Sequence, residues 1–309
     1  MNVSIHWLRL AVCCSLWLAM SSWSQGEEIG SRESLAGTWM TSDGYPKRGP
    51  TFLPGGDELV FAQESPKTAG MQLMRLNLET SQVERYSKDH PDGDREFSVS
   101  ADGQVYAYNV VRGLSSKLHI VDRRVDKQIK LPQLGRHSWS NWPAVSPDGN
   151  RVAFVEGAQV LYEYDVVANL GKASVRRLSP QGKLYSDYWP QYSPDGRHIV
   201  FCSNRDGDFE LYLMNADGTG QRRIHESPGI DMHPAFSPDG KQIAFTSNRD
   251  LNHEIYVFTL ATGEARRITF NPERDDFACW FPDGTELVIV SEHNGEFDLR
   301  RVSTEPRQR

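Results

Sequence analysis

Three aspartates, Asp187, Asp231 and Asp275, stand at one position of a recurring segment, and Trp142, Trp189, His233 and Phe277 stand at another. Asn204-Arg205-Asp206 and Asn248-Arg249-Asp250 recur in the same register. Carboxylates, guanidinium groups and aromatic rings gathered on one face suit recognition of a protein or peptide, because aromatic and arginine anchors dominate interface energetics. Trp142, Asp187, Trp189, Arg205, Asp231, His233, Arg249 and Asp275 are therefore the candidate binding residues. A plainer reading stands beside this one. Residues that repeat from segment to segment also brace a fold, and Asp–Arg pairs between loops would do so. Trp142, Trp189 and His233 vary within one repeated position, which marks them as the contacts for a ligand.

Catalytic arrangements are missing by comparison. No Gly-x-Ser-x-Gly elbow occurs, so no serine nucleophile is expected. His225-Glu226 and His253-Glu254 do not continue into His-Glu-x-x-His, and the histidines lack metal-ligand spacing. A site could arise only by convergence of distant segments, for which His137 and His233 are the best placed. No catalytic residue, metal or cofactor is assigned.

The elements that must hold these residues follow from an internal period. Ser-Pro-Asp-Gly occurs at 146–149, 193–196 and 237–240, with variants at 53–56, 100–103 and 281–284. The closing glycines, Gly56, Gly103, Gly149, Gly196, Gly240 and Gly284, are spaced by 47, 46, 47, 44 and 44 residues. Proline presets the first turn position, and glycine takes the left-handed one. A β-branched and aromatic run follows each turn, such as Ile199-Val-Phe-Cys202. A second alternating run comes next, such as Glu210-Leu-Tyr-Leu-Met214, and then a short one such as Gln221-Arg-Arg-Ile224. With the strand before each turn, this predicts four strands per repeat and an all-β, six-bladed propeller. The Arg-Arg pairs of the outermost strands read as edge protection rather than a basic patch.

The last repeat ends after its third strand, Phe297-Asp-Leu-Arg-Arg-Val302, whereas Thr38-Trp-Met-Thr-Ser42 precedes the first. The N-terminal strand is expected to complete the final blade and close the ring. The expected organisation is a signal peptide at 1–24, a segment with the closing strand at 25–42, the propeller at 43–304 and a polar tail at 305–309. His6 and Arg9 precede the apolar run Leu10 to Met20, with Ser22 and Ser24 at a cleavage site. That run falls short of the roughly 20 residues of a span, so no transmembrane segment is expected after cleavage. Cys13 and Cys14 leave with the signal. Cys202 and Cys279 fall in non-adjacent blades, which predicts two free thiols.

Hydrophobic residues make up 38% of the 309 residues, enough for a core rather than a disordered chain. A formal charge of −7 without a basic block disfavours nucleic acid as a partner.

Ser193 to Gly207 followed by Glu210 to Gly218, with its second copy from Ser237 to Gly263, resembles the repeat of TolB-type six-bladed propellers. The family includes a periplasmic component of the envelope-spanning Tol–Pal system and propellers attached to prolyl-oligopeptidase-type peptidases. The resemblance implies an exported, periplasmic or secreted protein. Its channel mouth would hold a protein or peptide partner of the cell envelope, without an enzymatic role. Against TolB, no α/β domain is expected before the propeller, and against the peptidases no hydrolase domain is expected after it. A propeller enzyme or carbohydrate binder with its site in the central channel is the alternative.

Overall fold

Each tetrapeptide folds as a turn closed by the glycine N–H on the carbonyl three residues back, 2.8 Å for Gly196 to Ser193. The serine and aspartate lock it. Ser193 Oγ donates to Asp195 at 2.6 Å and accepts the N–H of His198 at 2.9 Å, while Asp195 accepts the N–H of Arg197. Ser146 and Ser237 repeat the arrangement. The motif thus fixes the first hairpin of each blade and its register.

The computed structural model describes residues 37–65, 70–86, 94–113, 115–132, 134, 139–157, 159–168, 174–180 and 185–305. The expected signal, the first part of the closing segment, His137 and most of the tail lie outside them. Six sheets of four antiparallel strands are formed, five of them in simple sequence order. The inner strands are Lys47–Phe52, Asp94–Val99, Ser140–Val145, Asp187–Tyr192, Asp231–Phe236 and Asp275–Trp280. In the sixth sheet the outermost strand is Thr38–Trp39, paired with Glu296–Ser303 through Thr38 to Arg301 and Trp39 to Arg300. The ring closes as expected, with strands from both ends of the propeller in one blade.

Burial explains why blades exist only in company. Successive residues of the second strands point to opposite faces, so Ile199 and Phe201 join a cluster with blade three, while Val200 and Cys202 join one with blade five. Six such clusters occur, each shared by two neighbours, and the one joining blades six and one contains Leu59, Phe61, Val288 and Leu299. Among the described residues, no blade buries a core of its own. The turns stack as well: Gly103 lies against Pro54, Gly196 against Pro147, Gly240 against Pro194 and Gly284 against Pro238. Gly56 meets Pro282 across the closure, where a Cβ would fall 2.8 Å from the proline ring. At Gly56 space as well as the left-handed backbone requires glycine, while at Gly196, Gly240 and Gly284 the left-handed backbone alone does.

Cys202 and Cys279 are free thiols. Two of the outer-strand arginines are paired across to acids. Arg176 holds Glu163 at 2.7 Å and reaches the carbonyls of Ala216 and Asp217 on the next blade, and Arg267 holds Glu254 at 2.9 Å. Among the described residues, no helix is long and apolar enough to cross a membrane.

Candidate functional site: the channel mouth

Every inner strand carries a bulge at the same place. Between Asn141 and Ala144, Tyr188 and Gln191, Met232 and Ala235, Asp276 and Cys279, and Arg48 and Thr51, two residues oppose one on the second strand. Blade two has its irregularity between Arg95 and Phe97. The first bulge residue is left-handed in all six blades: Gly49 at φ 52°, Glu96 at 53°, Trp142 at 52°, Trp189 at 51°, His233 at 50° and Phe277 at 53°. A bulky side chain there is held against about 1–2 kcal/mol of backbone preference, and bulges characteristically re-aim side chains beside functional sites. The bulge also frees the next residue from the ladder, which is why proline follows at 50, 143, 190 and 234.

The consequence is a continuous aromatic arc. Trp142 meets Trp189 edge-on with centroids 5.8 Å apart, Trp189 meets His233 at 4.5 Å, and His233 stacks on Phe277 at 4.0 Å. Tyr188 and Phe209 support the tryptophans at about the same spacing. The arc ends at blades one and two, where Gly49 supplies no side chain and Glu96 supplies a carboxylate.

Asp187, Asp231 and Asp275 lie at 0% exposure behind the arc. Asp187 accepts from Arg205 at 3.0 Å and Ser179 at 2.6 Å, Asp231 from Arg249 at 3.1 Å, and Asp275 from Arg300 at 2.7 Å. Arg205 is further held over the rings of Tyr185 and Tyr212, and Arg249 over Tyr256. The Asp–Arg pairs thus form within blades four and five, bonding each inner strand to the loop between its second and third strands. Lys47 occupies the corresponding position in blade one and is wholly buried; its ammonium donates to Asp298 at 3.1 Å, to the carbonyls of Tyr45 and Phe297, and to Asp43.

Between blades five and six, His233 Nδ1 donates to Asp276 at 2.7 Å, and Asp276 also accepts from Thr246 Oγ1 at 2.7 Å and the Phe277 N–H at 2.8 Å. Despite burial, the neighbouring His233 and Arg274 and these hydrogen bonds hold Asp276 well below the usual carboxylate range. Burial lowers His233 and leaves a neutral imidazole. Among the described residues, no group of three His, Cys, Asp or Glu side chains is arranged to hold a metal.

Burial pushes Glu96, Glu210 and Glu254 each up to about 7. The fold prefers these carboxyls protonated, so their contribution to stability is complete below 4.5 and is lost as pH rises through about 7. His225 and His233, lowered from 6.5 by burial, oppose this by drawing stability down below that value. The melting temperature is therefore expected to rise between pH 8 and 6.5. Glu254→Gln should flatten the rise. An identical slope in this variant would remove its burial as a cause.

Gly49 and Glu96 were readable from spacing, since the left-handed residue always stands seven positions before the turn glycine. They escape notice because their types do not match the aromatics of the later repeats.

The TolB beta propeller domain model matches residues 137–309. No curated protein sequence matches the chain. Among solved structures, TolB from Acinetobacter baumannii is similar with a TM-score of 0.62 at 17% identity, over 81% of this chain and 64% of that one. The chain thus spans under two thirds of that protein. A protein provisionally called TolB from Agrobacterium tumefaciens gives 0.61 at 20% identity, over 85% and 91%. An oligogalacturonate lyase in complex with manganese gives 0.56 at 15%, over 86% and 92%. At these identities the likeness is one of fold.

Proposed function

The chain belongs to the TolB β-propeller domain family, and from that premise we propose that it is an exported binding protein whose channel mouth recognises a protein or peptide of the cell envelope. The observation that carries this reading is the arc Trp142–Trp189–His233–Phe277, held by left-handed bulges on four adjacent blades. A rigid aromatic surface loses little conformational entropy on binding and is the kind of anchor that dominates recognition. Asp187, Asp231, Asp275, Arg205 and Arg249 act in this reading by fixing the loops around the arc. Export rests on the apolar segment Leu10 to Met20 and its cleavage site.

The test is capture from envelope extract by the mature chain, beside Trp189→Ala, His233→Ala and the outer-strand control Arg222→Ala. A stoichiometric partner retained by the control and lost at least about tenfold in both arc variants supports the reading. A partner held equally by all four proteins would place recognition elsewhere. A second reading, a carbohydrate-processing channel, is favoured by the His233–Asp276 pair. With Nδ1 donating to the carboxylate, Nε2 carries the lone pair of a general base.

A further inference from the structure

The four rings of the arc are half-buried. They stand on the innermost strands, and Trp189 and His233 each touch rings of the blades on both sides. The face they leave open is therefore wall of the channel. Among the described residues, neither the Trp142 nor the Trp189 indole N–H has a hydrogen-bond partner. His233 spends Nδ1 on Asp276 and keeps one acceptor, Nε2. Gln191, two residues after Trp189 on the same strand, accepts the Phe236 N–H of the next blade with Oε1, which leaves its Nε2 hydrogens as donors. The side chains of the arc, with Gln191, thus offer three donor groups and a single acceptor.

This balance discriminates between ligands. An ordinary peptide brings an N–H with every residue, and one set against an aromatic face without an acceptor loses its hydration for nothing. A sugar brings hydroxyls that both donate and accept. The inner strands of the four arc blades carry the carboxylates Asp187, Asp231, Asp275 and Asp276, and all are already engaged by arginine, histidine or hydroxyl groups. Proline, by contrast, has no N–H to strand. A proline-rich segment in the polyproline II conformation turns unpaired carbonyls and flat apolar rings outward, and it is ordered before it binds. Its carbonyls match the indole and amide donors, and its pyrrolidine rings match the aromatic faces.

We propose that the arc takes a proline-rich segment of an envelope protein. Prolines stack on the rings, and Trp142 Nε1, Trp189 Nε1 and Gln191 Nε2 donate to the carbonyls of the segment. The proposal rests on the peptide reading above and narrows it to one class of partner.

The test titrates mature protein into fluorescein-labelled octaproline, followed by anisotropy, beside a labelled Gly-Ser octapeptide of the same length. Octaproline is expected to saturate and the Gly-Ser peptide to bind about tenfold or more weakly. This comparison uses the wild type and needs no variant. Trp189→Phe keeps a ring and removes the indole donor, while Gln191→Glu keeps an acceptor for the Phe236 N–H and removes the amide donor. Each should weaken octaproline about fivefold or more, the loss of one hydrogen bond, whereas the outer-strand control Arg222→Ala should bind as the wild type does. A random heptapeptide display library is selected on the wild type in parallel. Saturation by octaproline that both variants weaken, with proline enriched in the selected peptides, supports the proposal. Octaproline binding no better than the Gly-Ser peptide, or equally well to both variants, overturns it. Peptides enriched without proline overturn it as well and leave peptide recognition standing. If neither octaproline nor any library peptide binds, the peptide reading falls with it.

Discussion

A mature chain lacking residues 25–42 is expected to lose cooperative folding. The deletion removes the pairing of Thr38 and Trp39 with the last strand, and the Met40 N–H bond to Leu299 at 2.8 Å. It also removes Thr41, whose hydroxyl donates to Asp298 at 2.7 Å and accepts the Leu299 N–H at 2.9 Å. Met40 packs on the cluster between blades six and one, and Trp39 lies by the Arg300 guanidinium at 5.6 Å. Each hydrogen bond contributes about 1 kcal/mol and each large apolar side chain about 1.5–3 kcal/mol. The sum is of the order of the whole stability of a domain, about 5–15 kcal/mol. The strand Glu296–Ser303 would also become an open edge, a template for association. Guanidinium unfolding and size-exclusion chromatography check this, and a deletion melting like the parent, as a monomer, would refute it.

Lys47→Met is expected to destabilise the protein by about 3–5 kcal/mol, the scale for removing one partner of a buried ion pair. Lys47 and Asp298 both have side chains at 0% exposure, and the substitution takes the lysine ammonium away from the buried Asp298 carboxylate. The lysine also ties blade one to the last blade through the carbonyl of Phe297 at 3.0 Å. Comparing Lys47→Met, Asp298→Asn and the double variant in urea isolates the pair. A double variant clearly less damaged than the sum of the singles is the expected result, whereas simple additivity would show that the charges do not act together.

These two expectations differ in how far they could be read in advance. The closing strand was legible because a missing fourth strand at one end and a surplus strand at the other are both local facts of the repeat. The lysine pin was not, because nothing about Lys47 alone says that it substitutes for an acid and faces Asp298 across the closure. The arc lies between these cases. Trp142, Trp189, His233 and Phe277 share a spacing, so their common position was evident, but the left-handed bulge that turns them toward one another was not. Nor was the burial of Asp187, Asp231 and Asp275, which spacing alone could not distinguish from exposure at the mouth.

The sequence by itself determined the blade count, the four-strand unit, the turn chemistry and the closure. Each is specified within about one repeat, by alternation and by residues with fixed backbone demands. Only the tertiary structure decided which charges meet. Arg48, Arg95, Arg274 and Asp276 come from blades one, two and six and from the approach to the last, and only the closed ring brings them within electrostatic reach of one another. A repeat specifies its neighbours' packing through local pattern, but the contents of a shared channel depend on six positions converging at once, and convergence leaves no signature along the chain.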